Sequence, residues 1–268
     1  MVTRGRITMS VNVDAGFIGT GGIATALARG LCASPEFQGV VHVFDIDAER
    51  TRSLKEEFPT KIVVAASNQE LLNNAEVVFP TLLPDVLERV APSLNFREQN
   101  HIIHIAAGTK LLKVVPWFSP AKSVVRAVPL PFAAKRTGPV VFFGDDALCE
   151  RLLSLLGTVV KVRTEKDLEV LASVTGVMVP YYGLVGEIVR WCMTKGLDFK
   201  NAIDYTCYMN EALSMLMRQE CSEDIEAFMS AAATPGGMNE LAWNEMIATS
   251  AYLPWRDSLE KIGRHYSL

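Results

Sequence analysis

The chain has 268 residues, 49% of them apolar and 21% charged, which allows one large or two medium domains. A formal charge of −4 and a pI near 5.7, with Lys135–Arg136 the densest basic pair, give no electrostatic footprint for nucleic acid. Five cysteines (Cys32, Cys149, Cys192, Cys207, Cys221) show no C-x-x-C or Cys/His spacing, so neither a metal site nor a disulfide framework is expected, and the thiols read as reduced.

No apolar run approaches the roughly 20 residues needed to span a bilayer. The first twelve residues carry two arginines with no hydrophobic signal core after them. Met9 reads as the natural start, with residues 3–8 disordered. The expectation is a soluble cytoplasmic protein with no membrane partner.

In chain order, an apolar run ends at Ile18, Gly19, Gly21 and Gly22 follow, and an alanine- and leucine-rich pattern continues to Leu31. This is a strand, a tight turn and a helix, with Gly19-x-Gly21-x-x-Ala24 at the turn. Gly19 permits the turn, Gly21 leaves room for a pyrophosphate, and Ala24 lets helix and strand pack closely. The helix N-terminus offers unpaired N–H donors to the phosphates. Gly19, Thr20, Gly21, Gly22 and Ile23 are therefore the expected cofactor contacts.

Residues 40–45 form a short β-branched strand ending in Asp45, about 20 residues past the turn, where dinucleotide folds place an acid on the ribose diol. A carboxylate there repels a 2′-phosphate and favours NAD. Arg50 and Arg52 keep NADP open, although on a helix they read as solvated charges. The alternation continues with helix 49–57, strand 61–65, helix 68–73, strand 77–81, helix 84–94 and strand 101–106. Helix 110–117, strands 123–128 and 140–143, helix 147–156 and strand 159–162 complete it. The fold class is α/β, with a Rossmann-type doubly wound, mostly parallel sheet over residues 1–163.

From residue 164 strand signals vanish, and residues 164–268 read as an all-α domain with helices over 167–195, 200–221, 224–233, 238–250 and 254–266. Gly176 and Pro180 predict a kink in the first. Tyr205, Tyr208, Met209, Leu213, Met215, Leu216 and Met217 make the second apolar on more than one side. A homodimer through these helices is expected, with a monomeric helical cap as the alternative.

With both halves placed, the chain resembles the pyrroline-5-carboxylate reductase family along almost its whole length. The matching segments are Gly16-Phe-Ile-Gly-Thr-Gly-Gly-Ile23, Ala66-Ser-Asn68, Pro80-Thr-Leu-Leu-Pro84, Ile103-His-Ile-Ala-Ala-Gly108, Val125-Arg-Ala-Val-Pro129, Gly157-Thr-Val-Val160 and Thr234-Pro-Gly-Gly237. The last is the most specific. The resemblance implies hydride transfer from NAD(P)H to a cyclic imine, giving proline or a related cyclic amino acid. It puts Asn68, Leu82, Leu83, Pro84, Ala106, Ala107 and Gly108 along the cofactor. Pro129, Met178, Pro180, Gly236, Gly237, Met238 and Asn239 fall on the substrate side. N–H groups of Gly237, Met238 and Asn239 at a helix start suit a substrate carboxylate. Such a reaction needs the nicotinamide face positioned and water excluded rather than acid–base apparatus, which agrees with the lack of a Ser/His/Asp or paired-carboxylate pattern.

The departures cluster at the substrate end. Leu130 and Pro131 stand where the family carries Asn-Thr, and Val177, Met178 and Val179 replace a small polar run. Leu83 replaces a lysine. Asn239 replaces a threonine facing the imine and is the best catalytic candidate. Two readings stay open: a reductase of a cyclic imine carboxylate, and a relative that binds NAD(P) without proline-forming activity. The β-hydroxyacid dehydrogenases are argued against, because residues 173–189 contain neither the lysine nor the asparagine of that class. His104 reads as a hydrogen-bonded core histidine.

Overall fold

The computed structural model describes residues 10–106, 108–266 and 268. Met9, residues 3–8 and Ala107 lie outside the described residues. The chain divides into two compact units, Met1–Ala172 and Ser173–Leu268.

The first unit is built on an eight-stranded sheet: β1 (Ala15–Ile18), β2 (Val41–Phe44), β3 (Ile62–Val64), β4 (Val77–Pro80), β5 (His101–His104), β6 (Ser123–Val128), β7 (Pro139–Phe143) and β8 (Thr158–Lys161). The spatial order is β3-β2-β1-β4-β5-β6-β7-β8, with every neighbouring pair parallel except β6–β7. This is the mostly parallel sheet expected from the alternation. The chain leaves β1 toward β2 and later returns beside it as β4, so the order reverses there and opens a crevice at the carboxyl ends of the strands.

Side chains on β1 alternate between two cores, as a period of two requires. Phe17 stacks on Phe79 of β4 with ring centroids 4.6 Å apart, in the cluster that holds Leu27, Leu31, Leu152 and Leu153. Ile18 joins Leu71, Leu72, Leu87 and Phe118 in the other. Full burial of each such side chain contributes about 1.5–3 kcal/mol. Helix α1 (Gly22–Cys32) can approach because it is small on its inner side: a Cβ at Gly30 would lie 2.2 Å from the Ala133 carbonyl oxygen.

Capping fixes the starts of α2 (Ala48–Glu57) and α3 (Asn68–Asn74). Asp47 accepts from Glu49 N–H, and Ser67 and Glu70 form a reciprocal pair through the Glu70 and Ala66 N–H groups. Two expected helices are shorter than residues 84–94 and 110–117. Helix α4 (Pro84–Val90) passes into a 3₁₀ turn containing Pro92, and α5 (Leu111–Val114) into one containing Pro116. A proline contributes no N–H to the helical ladder, so each helix tightens at that point. Helix α6 (Ala147–Ser154) is capped by Asp146.

Helix α7 (Glu165–Val174) is tied to the sheet by Arg126, a buried β6 side chain that sequence reading passed over. Arg126 Nη1 lies 2.7 Å from Glu165 Oε1 and 3.4 Å from Glu169 Oε1, and Glu165 also accepts the Leu111 N–H at 2.8 Å.

The second unit is helical as expected. A 3₁₀ turn at Thr175–Val177 makes the predicted break, followed by α8 (Met178–Thr194), α9 (Phe199–Glu220), α10 (Ile225–Ala232), α11 (Met238–Ala248) and α12 (Leu253–His265). A Cβ on Gly176 would come within 2.4 Å of Ile262 Cδ1 on α12, so any side chain there would have to displace that methyl. Val185 and Val189 of α8 pack with Ala202 of α9. Tyr205, Tyr208, Leu213, Met215, Leu216 and Met217 of α9 are exposed on this chain. The helical run Glu165–Thr194 is long and apolar enough, by length and composition, to cross a membrane, which corrects the expectation that no such stretch exists.

Candidate functional site

The glycine turn sits at the crevice between β1 and β4. Gly19 has φ +90°, and a Cβ on it would lie 2.8 Å from Leu82 Cδ2 and 3.2 Å from the Thr81 carbonyl oxygen. Both the handedness and the tight approach of the β4 loop require glycine. A Cβ on Gly21 or Gly22 would meet nothing within 4 Å, so this side of the turn faces open space. Gly21 caps α1 without a side-chain hydrogen bond, and no acidic residue occupies the first turn. The helix therefore presents donors and a positive dipole end to an anion. Thr81, not singled out from the sequence, steadies the turn through a hydroxyl 2.6 Å from the Gly19 carbonyl oxygen.

Asp45 follows β2 at the same end. Its Oδ2 accepts the Thr20 N–H at 2.6 Å and the Thr20 hydroxyl at 3.0 Å, and its Oδ1 accepts the Asp47 N–H at 2.9 Å. Burial raises the carboxyl's pKa, but these hydrogen bonds and Arg50, 3.8 Å away, outweigh it and hold the group below the ordinary aspartate value. Arg50 is also within 3.4 Å of Asp47, so its charge is already shared between two carboxylates. Thr20, Gly21, Gly22, Thr25, Glu49, Arg50, Ser53 and Leu54 line a cleft of about 480 Å³.

Asn68 opens α3, and its Oδ1 is buried with no partner among the described residues, an acceptor suited to a ligand donor. Leu82 packs into the second core, Leu83 is exposed at the cap of α4, and Pro84 begins that helix. Ala106 is buried after β5, while Gly108 has φ +70° and open space where a Cβ would stand. Pro129 is buried just after β6. Residues from the turn, Asp45, 82–84, 106, 108 and 129 thus gather at the carboxyl ends of parallel strands. The arrangement can take a pyrophosphate at α1 and a ribose diol at Asp45.

His104, on β5, is fully buried and lies with Nε2 3.1 Å from the Thr109 carbonyl oxygen, so Nε2 carries the proton. Burial lowers its pKa to about 4, against the Thr109 bond and with a contribution from Arg126. It is the hydrogen-bonded core histidine anticipated.

In the second unit, Met178 and Pro180 fall in the first turn of α8. Gly236, with φ +72°, and Gly237 precede α11, where Gly237 is the cap and its N–H is bonded to the Thr234 carbonyl oxygen at 2.8 Å. Glu240 was missed in the sequence: its Oε2 accepts the Gly236 N–H at 2.7 Å, putting a carboxylate of the chain itself beside this helix start. The signal was a capping-box spacing with glycine at the cap instead of Ser or Thr. Asn239 donates from Nδ2 to the Ala232 carbonyl oxygen at 3.2 Å, leaving its own amide oxygen for other partners. Gly236, Gly237, Met238, Glu240, Leu241 and Asn244 line a cleft of about 300 Å³.

Residues 14–108 match the family model described as NADP oxidoreductase coenzyme F420-dependent. Pyrroline-5-carboxylate reductase of Pseudomonas aeruginosa is 28% identical over 178 residues, covering 63% of this chain and 64% of that protein. Pyrroline-5-carboxylate reductase 2 of Rattus norvegicus is 28% identical over 181 residues, covering 61% and 54%. The chain is similar to the pyrroline-5-carboxylate reductases. The matched segment spans less than two thirds of these relatives' own length. The fold agrees over more of the chain. The 1-pyrroline-5-carboxylate reductase of Streptococcus pyogenes superposes with a TM-score of 0.80 at 19% identity, covering 97% of this chain and 100% of that one. The Plasmodium falciparum pyrroline carboxylate reductase, solved with NADP bound, gives 0.80 at 14% identity over 96% and 98%.

Proposed function

We propose that this chain is an NAD(P)H-dependent reductase of a cyclic imine carboxylate, similar in reaction to pyrroline-5-carboxylate reductase and giving proline or a related cyclic amino acid. The observation that carries the reading is the uncapped start of α1 at Gly21–Gly22, open to an anion and flanked by Asp45 and the orphan acceptor of Asn68. These groups fit a dinucleotide. When bound, it supplies the hydride that reduces a C=N bond. The protein's own residues bind and orient: α1 N–H groups hold phosphate, Asp45 takes ribose hydroxyls, and residues 82–84, Ala106 and Gly108 are the further proposed cofactor contacts. Asp45 favours NAD over NADP, since a 2′-phosphate would meet its negative charge.

Chemistry at an already protonated imine asks chiefly for position and for exclusion of water. Within the second unit, Asn239, through its amide oxygen, is the residue proposed for the imine, and Met178, Pro180 and the Gly236–Met238 turn are proposed substrate residues; Pro129 is the one proposed from the first unit. A soluble, cytoplasmic homodimer joined through the exposed apolar face of α9 goes with this reading.

A second reading, a relative of different substrate or without proline-forming activity, is favoured by one observation. Glu240 already occupies the Gly236 donor, so a substrate carboxylate at the α11 start would face a like charge. Oxidation of NADH and NADPH against five- and six-membered cyclic imines, with and without a carboxylate, tests both. Turnover of the carboxylated imines supports the first reading. Turnover of only the uncharged imines, or cofactor binding with no turnover, supports the second.

A further inference from the structure

A polar cluster lies at the amino end of the sheet, away from the crevice. His101 opens β5, Ser123 opens β6, Asp146 caps α6, and Cys149 is the third residue of that helix. His101, Asp146 and Cys149 are buried, at 5%, 8% and 0% exposure. His101 Nδ1 lies 2.5 Å from Asp146 Oδ2, and the Ser123 hydroxyl donates to the same oxygen. Asp146 Oδ1 accepts the Leu148 and Cys149 N–H groups. The carboxylate, not the imidazole, is the hub. This is therefore no serine–histidine–aspartate relay, in which histidine stands between the nucleophile and the acid.

We propose that His101, Asp146 and Cys149 form a structural site for a borderline divalent cation of the zinc class, with the Ser123 hydroxyl as a fourth donor. One ligand atom from each of the three lies within 4.8 Å of the others. The mixed nitrogen, oxygen and sulfur set suits zinc or cobalt and not calcium or magnesium, which take oxygen ligands. Charge supports the choice: a carboxylate and a thiolate balance a 2+ ion, so the buried site is neutral when filled. Binding forms the metal–sulfur, metal–nitrogen and metal–oxygen bonds, releases the Cys149 thiol proton to solvent and leaves His101 protonated at Nε2 alone. Metal–ligand bonds of about 2.0–2.1 Å require the His101–Asp146 contact to open to about 3.3 Å, a small side-chain rotation. The Leu148 and Cys149 N–H bonds to Oδ1 keep Asp146 oriented meanwhile. A filled site clamps β5, β6 and the start of α6 and takes no part in hydride chemistry.

The test uses the full chain, stripped of metal and titrated with cobalt(II) and zinc(II), with absorbance and thermal unfolding recorded. The expected result is one ion per chain, a thiolate-to-cobalt charge-transfer band, displacement of cobalt by zinc, and a melting temperature raised by zinc. Cys149→Ser abolishes the charge-transfer band, and His101→Gln weakens binding at least tenfold. A folded native protein without the charge-transfer band in excess cobalt overturns the site. Equal binding by native protein, Cys149→Ser and His101→Gln overturns it too, since the ion is then adventitious. If either variant fails to fold, the native protein's spectrum decides alone.

Discussion

Thr20 and Asp45, 25 residues apart, are locked together: one carboxylate oxygen accepts both the backbone N–H and the hydroxyl of Thr20. The lock fixes the glycine turn to the end of β2, so the open start of α1 and the Asp45 carboxylate are held in one geometry.

Breaking that lock should loosen the cofactor end. Asp45→Ala is expected to weaken NADH binding at least tenfold in a fluorescence titration and to weaken NADPH less, because the charge facing a 2′-phosphate is removed and Arg50 is released. Unchanged NADH affinity would remove Asp45 from the ribose.

Arg126 offers a stability test separate from function. It is almost fully buried against Glu165 and Glu169, so Arg126→Met leaves carboxylates without their cation and should cost about 3–5 kcal/mol, read by urea unfolding. A loss below about 1 kcal/mol, the scale of an exposed pair, would contradict the buried pairing.

His104 predicts a pH dependence. Its folded pKa of about 4 lies below the unfolded value near 6.5, so the unfolded chain binds more protons between them. The stability associated with the neutral ring is full above about pH 6.5 and falls as pH drops toward 4, by up to about 3 kcal/mol. Unfolding at a series of pH values should show this slope, and His104→Gln should flatten it. An equal slope in the variant would assign the effect to other groups.

The local parts of this structure were legible in the sequence. The alternation of Phe17 and Ile18, the glycine spacing of Gly19–Gly22 and the closeness of Gly176 to Pro180 are patterns of residues a few positions apart. Where tertiary contact decides, the sequence was silent. Arg126 meets Glu165 across 39 residues, and His101 meets Asp146 across 45, separations that no periodicity encodes. The capping role of Glu240 is local, but it was hidden because the position it serves is glycine.

Glu240 gives the sharpest test of substrate charge. Removing its charge with Glu240→Gln should lower the KM for a carboxylated cyclic imine roughly tenfold, equivalent to about 1.4 kcal/mol, and leave an uncharged imine unaffected. Equal effects on both substrates would mean that Glu240 acts only as a helix cap.

The most direct test of the account is steady-state oxidation of NADH and NADPH by the purified chain with cyclic imine substrates, followed by nicotinamide absorbance. The account predicts imine-dependent oxidation, with NADH preferred and the preference lost in Asp45→Ala. Saturable cofactor binding with no oxidation by any five- or six-membered cyclic imine would contradict it.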